Sequence, residues 1–182
     1  MGIQKYLSRT VFILGLGAFL SLSVYAQSSI FFTVEGTRQG LFKGESPREK
    51  FKTKIPALAF QSGLTLPIDS ATGRLSGRRR HLPIALTKAL GVSSPQFFQA
   101  AVTSEILKKV VIEFYETNPT GAEVLSYVVT LSNANVVSIK QNTPASKPTT
   151  AGPIQEEISL VFQSIEVESK LGRTLASDVI SR

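Results

Sequence analysis

The stretch Ile106–Leu131, ILKKVVIEFYETNPTGAEVLSYVVTL, decides the fold. Within Lys109–Glu116, Val110, Ile112 and Phe114 alternate with Lys109, Val111, Glu113 and Tyr115, the period-two pattern of a strand with one covered face. Asn118-Pro119-Thr120-Gly121 is a turn signal, so Ile106–Glu116 and Ala122–Leu131 read as the two sides of a β-hairpin.

Working outward, the same texture recurs. Ala134–Gln141 is a further strand, broken from the hairpin at Ser132-Asn133. Ile154–Glu168 is one long strand with a bulge near Ser164, where the apolar phase shifts from Ile158/Leu160/Phe162 to Ile165/Val167. Upstream, Ser29–Glu35 (SIFFTVE) and His81–Lys88 (HLPIALTK) are β-rich, and Pro56 demotes Phe51–Phe60 to an edge or bulged strand. Gln61–Arg80 is rich in turn residues, and Asn142–Pro153, with three prolines, reads as an exposed loop. One helix breaks the pattern. Ser93-Ser94-Pro95 supplies a cap and a first-turn proline, Gln96–Val102 continues it, and Phe97, Phe98 and Ala101 form its packing face. Strands joined by short turns give a mainly β class, an antiparallel barrel or sandwich with one short helix.

The N-terminus has a different character. Lys5 and Arg9 precede the 14 apolar residues Val11–Val24, and Val24-Tyr25-Ala26 places small residues at a cleavage position. A membrane span needs about 20 apolar residues, so the run fits a signal peptide over residues 1–26, cut between Ala26 and Gln27; the alternative is an uncleaved anchor. The expected organisation is therefore an export segment, 1–26, and one domain, 27–182. Membrane contact is then limited to the signal peptide before cleavage, and the domain is periplasmic or extracellular.

Composition excludes much chemistry. The 182 residues contain no Cys, no Trp, one Met and one His, with 42% hydrophobic and 18% charged residues and a mean hydropathy of +0.12. Without cysteine there are no disulfides, iron–sulfur clusters, thiolate zinc sites or cysteine nucleophiles. A serine triad would have to use His81, which sits beside Arg78–Arg80 with no carboxylate nearby in sequence. Glu156 and Glu157 are adjacent, so in a strand they face opposite sides and form no acid–base pair. No glycine-rich nucleotide fingerprint follows a strand. The sequence offers no catalytic constellation, cofactor site or metal site.

Charge is lopsided. Of the net +7, the segment Arg38–Arg80 holds ten cations against three acids, whereas His81–Arg182 holds eight against nine. The candidate contact residues are Arg74, Arg78, Arg79 and Arg80, with Lys50, Lys52 and Lys54, whose i, i+2 spacing would put all three on one face of a strand. One reading has these cations meet acids of a neighbouring copy, such as Glu156, Glu157, Glu166 and Glu168. The other makes Arg38–Arg80 the polyanion-binding region of a monomeric exported β-barrel. The first is preferred, and nucleic acid is disfavoured, because no nucleic-acid motif is present.

A more specific pattern begins at Pro67. It runs through T-G-R-L-S-G-x-R at Thr72–Arg79, P-x-x-x-T-K at Pro83–Lys88, S-S-P-x-F-F-x-A-A at Ser93–Ala101, L-K-x-V at Leu107–Val110 and FYETNPTGAEV at Phe114–Val124. In this order the motifs resemble the haemolysin-coregulated protein (Hcp) family, the tube subunit of type VI secretion, over roughly residues 28–182. The resemblance implies a small antiparallel β-barrel with one flanking helix and a non-enzymatic subunit. It also implies a hexameric ring able to stack into a tube or carry small cargo, with spike and effector proteins as partners. A long loop, here about Gln61–Arg80, is expected to reach a neighbouring subunit or ring. Family tube subunits start without an export segment, and this chain begins with one.

Overall fold

The computed structural model describes residues 28–142 and 153–180. The expected export segment 1–26 with its expected Ala26–Gln27 cleavage position, and most of the Asn142–Pro153 loop, lie outside the described residues. The order of elements is β1 (Ser29–Gly36), β2 (Gly40–Leu41), a 3-10 turn (Glu49–Phe51), β3 (Ile55–Ala57), β4 (Ala59–Gln61), β5 (Leu64–Thr65), β6 (Arg80–His81), β7 (Ile84–Ala89), α1 (Ser94–Val102), β8 (Leu107–Thr117), β9 (Glu123–Asn142), β10 (Gln155–Val161), β11 (Ser164–Ser169) and β12 (Thr174–Val179).

The hairpin expected at the centre is β8–β9. Its turn is closed by Asn118, whose side-chain oxygen accepts from the Thr120 and Ala122 amides at 3.1 and 2.8 Å. All pairing is antiparallel, and the main sheet runs β2-β1-β8-β9-β10-β7-β4. Register puts Phe32 opposite Ile112, Ile112 opposite Val129, and Ile158 opposite both Leu86 and Ile139. Phe32, Ile112, Val129, Leu86 and Ile158 all belong to one buried cluster. Each such side chain stabilises the fold by about 1.5–3 kcal/mol relative to exposure. The ends of the sheet come from one bent segment: β3 pairs with β1, β4 pairs with β7, and Leu58 joins them while its amide donates to the Thr87 carbonyl. The molecule is thus mainly β and strongly curved, with the two sheet edges tied through Pro56–Leu58 instead of a continuous strand-to-strand ladder.

Strand β9 is unbroken across Ser132-Asn133, where the sequence suggested an end. Asn133 adopts φ 49°, and the register to β8 runs through it unchanged, from Lys109 opposite Ser132 to Leu107 opposite Ala134. Asn visits this left-handed region more readily than other residues with a Cβ. Across Asn133 β9 changes partner, from β11 over Tyr127–Ser132 to β10 over Asn135–Asn142. The expected long strand Ile154–Glu168 is therefore two strands with a corner at Phe162-Gln163. The phase shift in its apolar residues marks that corner.

Helix α1 is nine residues long and too short to persist undocked. It buries Phe97 and Ala100, with the Phe97 ring 5.0 Å from Phe42 and 6.2 Å from Phe32. Phe98 is 61% exposed, so the packing face is Phe97/Ala100 and not the expected Phe97/Phe98/Ala101. Ser93 occupies the cap position, but its hydroxyl donates to Glu45 at 2.7 Å instead of accepting from the helix.

A second, smaller cluster lies on the opposite face of β1. Phe31 and Phe51 stack at 4.2 Å, and Tyr115 meets Phe51 edge-on at 4.9 Å. Adjacent Phe31 and Phe32 point to opposite sides of the strand, and both are buried because the 3-10 turn covers the outer side.

Candidate assembly surface

The turn-rich stretch after β4 folds into a projecting hairpin. Strands β5 and β6 form a two-stranded sheet of their own, the Leu82 amide closes the base onto the Gly63 carbonyl at 2.8 Å, and Ile68 bridges Leu75 nearer the tip. At the tip, the Asp69 carboxylate accepts from the Ala71 and Thr72 amides at 2.8 Å each, and these donors hold its carboxyl below the usual range. Gly73 takes φ 67°, and the Arg74 carbonyl receives the Asp69 amide. Most of the arm faces solvent, including Leu66 (47%), Ile68 (64%) and Leu75 (69%).

The arm meets the rest of the molecule through Asp178 on β12. The Arg79 guanidinium binds both oxygens of this carboxylate and also donates to the Val179 carbonyl at 3.3 Å. His81 Nε2 lies 2.8 Å from Asp178 Oδ2, and its ring meets Phe162 edge-on. The Arg79 hydrogen bonds, followed by that of His81, keep the Asp178 carboxyl far below the usual range. His81 therefore has an orienting carboxylate, 97 residues away in sequence, which its local neighbours did not reveal. A groove of about 390 Å³ runs beneath the arm's base, between Leu64 and Leu82 of the arm and Phe162, Ile165, Val167 and Ala176 of the body.

Lys50, Lys52 and Lys54 do not share a strand face, because the segment turns as a 3-10 helix and enters β3 only at Ile55. Lys50 lies 5.1 Å from the Phe51 ring centre, Lys52 reaches Glu49 at 3.6 Å, and Lys54 binds Glu113 and the Tyr115 hydroxyl. Burial works against the Lys54 charge, but Glu113 and Tyr115 outweigh it and raise its pKa. Arg48 binds Glu123 and lies 4.5 Å over Phe51. Among the described residues Arg74, Arg78 and Arg80 form no ion pair, and all three are exposed.

Two features had no visible signal in sequence. Lys88 is fully buried between Glu45 and Glu156, each at 3.0 Å, with Ser94 Oγ at 3.2 Å, so Glu156 is not a surface acid available to a neighbour. Glu105 is also buried and accepts from the Arg38 and Gln39 amides at 2.6 and 2.9 Å. Burial alone would lift its pKa, but those donors and the Gln39 side chain bring it below the usual range. Every buried side-chain polar atom among the described residues has a hydrogen-bond partner. The described residues contain no cluster suited to a metal ion.

The family described as "Type VI secretion system effector, Hcp" matches residues 31–168. A relative described as "Major exported protein" from Pseudomonas aeruginosa is 29% identical over 119 residues, covering 60% of this chain and 69% of that protein. Among solved structures, an Hcp protein superposes with a TM-score of 0.82 at 23% identity, covering 86% of this chain and 99% of the other. A variant of the Hcp1 protein from E. coli superposes with a TM-score of 0.72 at 26% identity, covering 83% and 97%. The secreted protein Hcp3 of Pseudomonas aeruginosa gives a TM-score of 0.70 at 22% identity, covering 86% and 100%.

Proposed function

The chain belongs to the Hcp family of type VI secretion proteins, and we propose that it acts, after export, as a non-enzymatic subunit that self-associates into a ring. The family pattern favours six subunits, a closed barrel in each, stacking into a tube, and spike and effector proteins as partners. The observation that carries self-association is the arm. A hairpin presenting Leu66, Ile68 and Leu75 to water has more exposed apolar surface than an isolated domain needs, and a second copy is the partner always at hand. Arg74, Arg78 and Arg80 flank those residues, while Lys50 offers a further contact; Lys52, Lys54 and Arg79 are already bound to acids of their own chain. Glu166 is the candidate acid on the receiving copy, since Glu157 and Glu168 already pair with Lys140 and Lys170 of their own chain.

Export is proposed on the basic-then-apolar segment 1–26, with cleavage after Ala26, and places the protein in the periplasm or the medium. Loss of Lys5 and Arg9 takes the charge from +7 to +5, so six copies carry +30. Like charges at that density repel, and salt screens them over about 10 Å at 0.1 M. Ring formation should therefore strengthen from low to moderate ionic strength. Multi-angle light scattering at micromolar concentration tests this, and a monomer at every salt concentration refutes the ring. The competing reading, a monomer binding polyanions through Arg38–Arg80, predicts the opposite trend, with affinity falling steeply as salt rises.

A further inference from the structure

We infer that Asp178 is the latch that fixes the arm's angle to the body, and that it thereby positions the arm for contact with a second copy. The second half rests on the reading of the arm as a subunit contact; the first half does not. Four observations carry it. The arm leaves the sheet at Ser62 and returns at Pro83, and its own pairing (β5 with β6) involves no strand of the main sheet. Leucine packing does not clamp it, because the groove of about 390 Å³ separates Leu64 and Leu82 from Phe162, Ile165 and Val167, and the one ring contact across it is His81 on Phe162. What spans the gap is polar: both Asp178 oxygens are occupied by arm residues, Arg79 on the two and His81 on one. Arg79 also holds the Val179 carbonyl, so the guanidinium grips side chain and backbone of β12 together.

A planar guanidinium on a carboxylate fixes orientation as well as distance, which a single ammonium contact would not. Removing the Asp178 charge should let the arm swing about its two ends while the sheet stays intact. His81 at the arm's base rests on Phe162 at the edge of the main core, but the arm's own strands pair with no strand of the main sheet, so the latch acts on the arm's position and not on the sheet.

The absence of cysteine makes the test clean. Ala71→Cys at the arm tip and Leu171→Cys in the β11–β12 turn, both exposed, take nitroxide labels with no background. Labelled chain is diluted with unlabelled chain so that each assembly holds one labelled copy. Double electron–electron resonance then gives the distance distribution, and sedimentation velocity gives self-association on the same samples. We expect a narrow distribution for the parent, at least a twofold broadening in Asp178→Asn, and a narrow distribution restored in Asp178→Glu. Self-association should weaken tenfold or more in Asp178→Asn and recover in Asp178→Glu, with thermal midpoints unchanged throughout. An equally narrow distribution in Asp178→Asn overturns the latch. A broadened distribution with unchanged self-association overturns its role in assembly. A parent chain that stays monomeric at every salt concentration refutes the ring reading, and the distance distributions still decide the latch.

Discussion

Substituting Lys88 by Met should be among the most damaging single changes in the protein. The ammonium donates to the Ala89 carbonyl at 2.7 Å and faces Glu45 and Glu156 at 3.0 Å each, and its side chain is wholly inaccessible. Met fills the stem's volume but leaves two carboxylates without a cation. Glu156 has only the Ser94 hydroxyl at 2.6 Å and the Gln141 amide at 3.3 Å to fall back on. Breaking a buried pair by deleting one partner costs about 3–5 kcal/mol, a large part of the total of about 5–15 kcal/mol for a domain. With a urea slope of about 2 kcal/mol/M, the unfolding midpoint should drop by about 1.5–2.5 M. The double variant Lys88→Met/Glu156→Leu should recover most of that loss. It removes both buried charges and leaves Glu45, which is partly accessible and keeps its bonds from Ser93 at 2.6 and 2.7 Å. The assay is equilibrium urea unfolding at pH 7 on the two single variants, the double variant and the parent. The expected coupling is about 2 kcal/mol or more. A Lys88→Met midpoint within about 0.3 M of the parent, or strictly additive singles, would refute the reasoning.

Two further outcomes follow from individual groups. The Glu105 carboxyl is held below its unfolded value of about 4.3, so its stabilising contribution is complete above that pH and disappears as pH falls through the native pKa. Glu105→Gln should therefore cost about 1–3 kcal/mol at pH 7 and flatten the loss of stability below about pH 4.5, as read from thermal midpoints across pH; parallel acid limbs would count against it. Where β9 changes partner, Asn133→Val should be less stable than Asn133→Gly by about 1–2 kcal/mol, because both lose the bond to Gln163 but only Val is strained at φ 49°. Urea midpoints compare the two, and equal values would show that the backbone there relaxes.

The parts of the fold that were legible are those whose signal is local. The β8–β9 hairpin shows in the alternation of Val110, Ile112 and Phe114 and in a turn built on Asn118, both confined to a dozen neighbouring residues. The corner at Phe162-Gln163 showed as a phase shift, but its magnitude did not, since a bulge and a corner leave the same trace in sequence. The Lys50/Lys52/Lys54 spacing misled for a similar reason. An i, i+2 pattern of cations is also what a 3-10 turn leaves when Phe51 alone plunges inward. Asp178 was invisible because its partners, Arg79 and His81, come from a different part of the chain, and β12 is too exposed to show alternation. For the same reason nothing near Lys88 announced that it would be buried.

The structure also divides the family pattern into two kinds of residue with opposite fates. Lys88 of the P-x-x-x-T-K motif and Ser93 and Ser94 of the S-S-P motif converge on Glu45 and Glu156 in one buried polar cluster. A buried ion pair adds little net stability over an apolar replacement. Its consequence here is geometric: it fixes where β7 ends, where α1 begins and where the loop carrying Glu45 crosses them. The T-G-R-L-S-G motif lies instead on the arm, with Leu75 and Arg74 in water. The basic segment is divided in the same way. Arg48, Lys52, Lys54 and Arg79 are bound to acids of their own chain. The six cations left over sit on separate elements, with Arg38 and Lys43 on either side of β2, Lys50 beside Phe51, and Arg74, Arg78 and Arg80 on the arm. A charge that looked like one polyanion-binding stretch is, in three dimensions, spread over separate elements and neutralised locally at four of its ten cations. What remains concentrated is the arm, where cations flank exposed leucine and isoleucine. That mixture suits the rim and centre of a protein contact better than a phosphate track.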